Sequence, residues 1–159
     1  MGKKNKDIGI KIDEIKEVSF SNKLTKEIVE NENEENVSFK LGVGVNGDSA
    51  KGLVTIALIV SYLYETEFMK KPIEFLELET ETTFHLIDFM DEELKYLDEE
   101  NKIFINDDLM TFLLQTSLGA TRGMLAYKTA SLPINLILPL IDVEQFMESK
   151  KDNDKNHVN

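Results

Sequence analysis

From Val37 to Val45 every second residue is apolar: Val37, Phe39, Leu41, Val43 and Val45 share one parity, and Ser38, Lys40, Gly42 and Gly44 the other. This is the pattern of a strand with one covered face. Upstream the period is looser. Ile8, Ile10 and Ile12 hold a parity that Val18 and Phe20 resume while Ile15 breaks it, which predicts a first strand containing a bulge. "GLVTIALIVSYLY", Gly52 to Tyr64, is β-branched and apolar on both parities, so a third strand with both faces covered, at least in part, is predicted. In "IEFLELETETTFHLI" Leu76, Leu78, Thr80, Thr82, Phe84 and Leu86 alternate with Glu77, Glu79, Glu81, Thr83 and His85. That predicts a fourth strand with one packed face and one in water. Asn46-Gly47-Asp48 is the expected turn between the second and third strands, because Asn-Gly tolerates positive backbone angles.

The helical pattern comes late. "DEELKYL" from Asp91 reads as a short helix. Asn106 is the expected N-cap of a long one reaching about Ala130, with Asp107 and Asp108 complementing its dipole. From Leu109 to Ser131 its charged residues are Arg122 and Lys128, so apolar side chains run nearly all round it and it needs cover on more than one side. The protein's own sheet can supply one cover and a second copy the other. Gly119, Ala120, Gly123 and Ala126 let another element approach closely, and two helical glycines cost about 1 kcal/mol each relative to alanine. Whether that element is the sheet or a second subunit is open in the sequence. Beyond the helix, "LPINLILPL" is an apolar run bracketed by Pro133 and Pro139, followed by a new helix start at "IDVEQFM".

Strands first and helices last predict an α+β domain: a four-stranded antiparallel sheet, a long helix on one face and a short C-terminal helix. The low-complexity acidic run Glu30 to Asn36 reads as a solvated crossover loop. With 159 residues the chain suits a single domain, expected over 8–148, with disordered ends at 1–7 and 149–159. The net charge of -12 repels phosphate and anionic membrane and favours basic partners, so neither nucleic acid nor membrane is an expected partner. There are no cysteines, which excludes disulfides and thiolate metal sites. The start "MGKKNKDIGI" lacks the apolar stretch of a signal peptide, and a cytoplasmic location is expected.

Candidate chemistry is sparse. "GVGVNG", Gly42 to Gly47, fits the spacing of a dinucleotide fingerprint, but these glycines lead into a strand where that fingerprint needs a helix. Glu77, Glu79, Glu81 and His85 line one strand face, yet alternate residues stand about 6.7 Å apart and project in parallel. A solvated acidic face able to dock a basic partner is the better reading than a metal site. His85 and His157 are the histidines, and no G-x-S-x-G elbow occurs, so nothing assembles a nucleophile with its base. No enzyme and no cofactor is expected; a small enzyme working with carboxylates alone is the residual catalytic alternative.

The order of four strands, a long helix, a Pro-bracketed run and a last helix resembles the SecB-type export chaperones. Arg122, Thr129, Pro133, "INLIL", Pro139 and "LIDVEQFM" follow the family's C-terminal order, and "EVSF", Glu17 to Phe20, is similar to its first strand. "TETTF" stands where the family has a glycine-rich segment, and Ser21 where another acid is usual. The resemblance implies an ATP-independent holdase that keeps unfolded polypeptides soluble for export. It also implies a homotetramer, a dimer of dimers with the long helices central, and docking of the motor SecA on an acidic face formed by Glu17, Glu77, Glu79 and Glu81. Apolar side chains placed to line a client groove are Phe39, Tyr62, Tyr64, Phe68, Met69 and Phe75, with ordinary core as the competing reading of each. A dedicated chaperone of one partner, such as an antitoxin, is the alternative function.

Overall fold

A computed structural model describes residues 9–33, 35–48, 50–87, 96–97 and 103–156. Strand β1 (Gly9–Asn22) leads into a short helix α1 (Lys26–Asn31), then β2 (Val37–Asp48), β3 (Leu53–Tyr64) and β4 (Ile73–Ile87). A two-residue pair, β5 (Tyr96–Leu97) and β6 (Ile103–Phe104), precedes the long helix α2 (Asp107–Thr129) and the last helix α3 (Val143–Asn156). The expected helix from Asp91 falls on residues 91–95, which lie outside the described set; the part that is described, Tyr96–Leu97, is extended. α3 continues through Asn156, beyond the expected domain end at 148.

The main sheet is antiparallel with the order β1-β4-β3-β2. β1 and β2 are therefore neighbours in sequence and opposite edges in space. The acidic segment between them is the predicted crossover, but it is not all loop. Thr25 caps α1, its hydroxyl accepting from the Ile28 amide at 3.3 Å, and Ile28 is buried in the core. One apolar residue per turn is too weak a pattern to show in a run of acids.

Two register shifts in β1, between Ile12 and Glu14 and between Glu17 and Ser19, explain its broken alternation. Each bulge absorbs one residue, so Ile10, Ile12, Ile15, Glu17 and Phe20 all lie opposite β4 residues of one face, Leu86, Phe84, Thr82, Thr80 and Leu78. The turn after β2 corrects the sequence expectation. Asn46, Gly47 and Asp48 remain paired, with Thr55, Val54 and Leu53, and the positive φ of 65° falls on Gly52. A Cβ at Gly52 would stand 3.1 Å from the Leu86 carbonyl oxygen, so glycine is needed there for space as well as for angle.

α2 lies over β3 and β4. Asn106 caps it, accepting from the Leu109 amide at 2.8 Å. Its buried stripe, Leu109, Leu113, Leu114, Ser117, Leu118, Thr121, Leu125 and Thr129, repeats at the helical period and meets Val54, Ile56, Leu58, Val60, Leu76, Leu78, Phe84 and Leu86 in one core. A hydroxyl pair, Thr80 and Thr121 at 2.7 Å, ties helix to sheet within it. The other face of β3 is only partly covered: Ser61 and Leu63 are buried while Ile59 is exposed.

Candidate functional site

The Pro-bracketed run keeps the strand period without joining a sheet. Ile134, Leu136 and Leu138 are buried, and between them Asn135 and Ile137 are exposed, Ile137 to 66%. Arg122 fixes its far end, Nε donating to the Leu138 carbonyl at 2.9 Å and a terminal guanidinium nitrogen to that of Pro139 at 3.0 Å. Among the described residues, the backbone groups of Ile134 to Ile137 have no hydrogen-bond partner. The chain then turns into α3, where Asp142 accepts from the Gln145 amide at 3.1 Å and Val143 is buried.

Two cavities flank the run. One of about 540 Å³ is shared with α2 and lined by Arg122, Ala126, Thr129 and Pro133. The other, about 430 Å³, is bounded by Val37 and Tyr62 of the sheet and by Glu32 and Asn33 just beyond α1. Ile134 to Ile137 form a wall of both.

The six residues expected in a client groove do not form one surface. Phe39, Tyr62 and Phe75 make an aromatic row with centroids 6.3 and 6.4 Å apart. The row runs inward: Phe39 is exposed, Tyr62 forms part of the second cavity's wall, and Phe75 is wholly buried. Tyr64 is also core, Met69 is half-buried against it, and Phe68 is 94% exposed on the β3–β4 connection. A bulge in β4 turns both Phe75 and Leu76 inward, which alternation alone does not anticipate. The walls missing from the expected set are Ile134, Leu136, Ile137 and Glu32, and the alternation between two prolines is the signal for the first three.

Tyr62 carries an unusual polar group. The residue is 4% exposed, and its hydroxyl is buried without a hydrogen-bond partner among the described residues. Burial pushes the phenol up to about 12, so at neutral pH it is a protonated donor.

The outer sheet face holds Glu77, Glu79 and Glu81, half-buried and each engaged separately: with the Ser61 hydroxyl at 3.2 Å, the Ser19 hydroxyl at 3.4 Å and the Lys16 ammonium at 2.8 Å. The hydrogen bond to Glu81, then its charge, raise the pKa of Lys16. Glu17 does not belong to this face. The bulges place it opposite Thr80, on the helix side, where it pairs with Lys128 at 2.6 Å, and Lys128 lies 5.3 Å from the Phe20 ring centroid. Among the described residues no cluster of three or more His, Asp or Glu is arranged to hold a metal, and no helix is long and apolar enough to cross a membrane.

The helix face turned away from the sheet presents Phe112, Gln115, Gly119, Gly123, Ala126 and Tyr127, the last 81% exposed. A Cβ built on Gly119 or Gly123 meets nothing within 4 Å. Close packing on the protein's own sheet is therefore not what these glycines serve.

No family model matches the sequence, and no curated protein matches it either. Solved structures do resemble it. A Mycobacterium tuberculosis SecB-like chaperone, Rv1957, in complex with a ChAD peptide from the Rv1956 HigA1 antitoxin superposes with a TM-score of 0.53 at 13% identity, over 84% of this chain and 91% of that one. A Streptococcus agalactiae protein of unknown function matches with a TM-score of 0.42 at 12% identity, over 84% of this chain and 98% of the other. The chain thus has a SecB-like α+β fold: a four-stranded antiparallel sheet, a long helix and a shorter final one.

Proposed function

We propose that this protein is an ATP-independent chaperone that holds polypeptides in a non-native, extended form. The observation that carries the reading is the Pro-bracketed run with cavities on both sides and, among the described residues, unpaired backbone between them. Such a surface offers alternating pockets and main-chain hydrogen bonds together, which is what an unfolded segment needs and a folded one cannot use. Burying one Leu or Phe of a client contributes about 1.5–3 kcal/mol. A few such anchors, less the cost of ordering the client, give on the order of micromolar affinity per site.

Several sites on one particle would raise that affinity by avidity. In this reading the exposed face of α2, with Gly119, Ala120, Gly123 and Ala126 at its centre, packs on the same face of another copy, and the particle is a homotetramer built as a dimer of dimers. Glu77, Glu79 and Glu81 supply an acidic surface for a basic partner, SecA if the client is bound for export, and the location is the cytoplasm. The M. tuberculosis neighbour, bound to an antitoxin peptide, supports a second reading: a chaperone dedicated to one client.

Sedimentation velocity with and without a reduced, unfolded protein tests the proposal. A tetramer that gains client mass is the expected result, and a monomer that ignores the client overturns it. A tetramer that ignores generic unfolded proteins but retains one partner supports the dedicated reading.

A further inference from the structure

The last helix is held to the body by less than its length suggests. α3 runs from Val143 to Asn156, and it packs with the core through Val143, 2% exposed, and Met147 one turn on, half-buried. From Glu148 to Asn156 there is no apolar side chain. Met147 is thus the last apolar anchor of a helix too short and too polar to persist alone in water. Its Sδ is also tied to α2, accepting from the Thr111 hydroxyl at 3.6 Å. Met147 lines a cavity of about 280 Å³ whose other walls are Thr111 and the carboxylates of Asp107, Asp108, Glu144 and Glu148. A small oxidant therefore has a way to the thioether. An oxygen placed there finds one side-chain donor in the wall, Thr111, since carboxylates accept and do not donate.

We propose that Met147 is an oxidation site that latches α3: hydrogen peroxide converts its thioether to the sulfoxide, and the helix then leaves α2. A sulfur lone pair forms the S–O bond as the peroxide O–O bond breaks. Sulfur is oxidised by two electrons, and the second oxygen takes up the proton of the first and leaves as water. The sulfoxide is polar where the thioether was apolar, so the anchor against the core is lost. The new oxygen must either enter a contact already closed at 3.6 Å or turn toward the carboxylates, and either shift lifts the helix at its last hold. Val143 stays seated in the core, so the release is local. The latch involves no client and operates whether or not the protein is a chaperone.

The test treats the full chain with dilute hydrogen peroxide, maps oxidation by peptide mass spectrometry and follows amide hydrogen exchange. Met147 should gain one oxygen at least as fast as Met69, Met110 and Met124, which are also half-buried. Exchange in α3 should then rise about 10-fold while β3 and β4 stay protected, and methionine sulfoxide reductases should reverse both changes. Met147→Leu, which keeps an apolar anchor without the sulfur, should hold α3 at its untreated exchange rate in peroxide. Met147→Gln, polar without any oxidation, should release α3 in reducing buffer with the sheet still protected. Met147 left reduced while the other three are oxidised overturns the site. Full conversion with α3 exchange unchanged overturns the latch, as does a rise that Met147→Leu fails to prevent or one that extends to the sheet.

Discussion

At the scale of single residues, hydroxyls decide more than charges. Thr80 and Thr121 are both buried and satisfy each other across the helix–sheet boundary, and Thr121 also donates within its helix, to the Ser117 carbonyl at 2.9 Å. Thr121→Val should cost about 1–2 kcal/mol in urea unfolding by stranding the Thr80 hydroxyl. The double change Thr80→Val with Thr121→Val should recover part of that, since both partners are then apolar. The Tyr62 phenol makes a second prediction, in alkali. Its acidity is suppressed in the fold, so as pH rises past about 10 the unfolded chain loses this proton first. The unfolded state then binds fewer protons than the native one, and stability falls between about pH 10 and 12. Tyr62→Phe should lack that part of the alkaline decline; an identical pH profile would show that the phenol titrates freely in the native protein. The ion pairs matter less. Lys16 with Glu81 is partly exposed, and water screens a pair of this kind so that it adds little to stability.

At the scale of elements, β3, β4 and α2 are legible in the sequence because long periodic runs and a good cap leave few alternatives. The rest is obscured wherever tertiary geometry edits the local period. β1 reads as a faulty alternation until its two bulges are known, and they alone decide that Glu17 faces Lys128 and not the outer acids. The Asn-Gly pair names a turn that the ladder carries past, to Gly52. For the candidate site, the sequence marks aromatic side chains but not which of them the core claims. The Pro-bracketed run is visible as a pattern, and its role as a cavity wall is not, because nothing local says that an extended segment will remain outside the sheet. Arg122 is what holds it. Arg122→Ala should lose about 1.5–3 kcal/mol, the range for bonds from a charged donor, and limited proteolysis should cut within Ile134–Leu138 faster. Arg122→Lys should resemble the alanine change, because an ammonium cannot span the carbonyls of Leu138 and Pro139 as a planar fork does.

For the whole molecule, one copy leaves a bare helix face lined by glycines that have room. Gly123→Leu should therefore leave a single copy folded, even gain about 0.5–1 kcal/mol of helix propensity, and yet block close approach of a second α2. Sedimentation should report smaller particles without loss of helicity by circular dichroism. Unchanged assembly would place the subunit contact elsewhere. The strand order has a further consequence, in time. β1 is made before its partner, for its ladder runs to β4, from Asn22 with Leu76 to Gly9 with Ile87, so during synthesis it waits for most of the sheet to emerge. Until then Ile10, Ile12 and Ile15 are an unclaimed sticky edge, the hazard of long-range pairing. A protein proposed to hold other chains in a non-native form is, for that interval, in need of shelter itself.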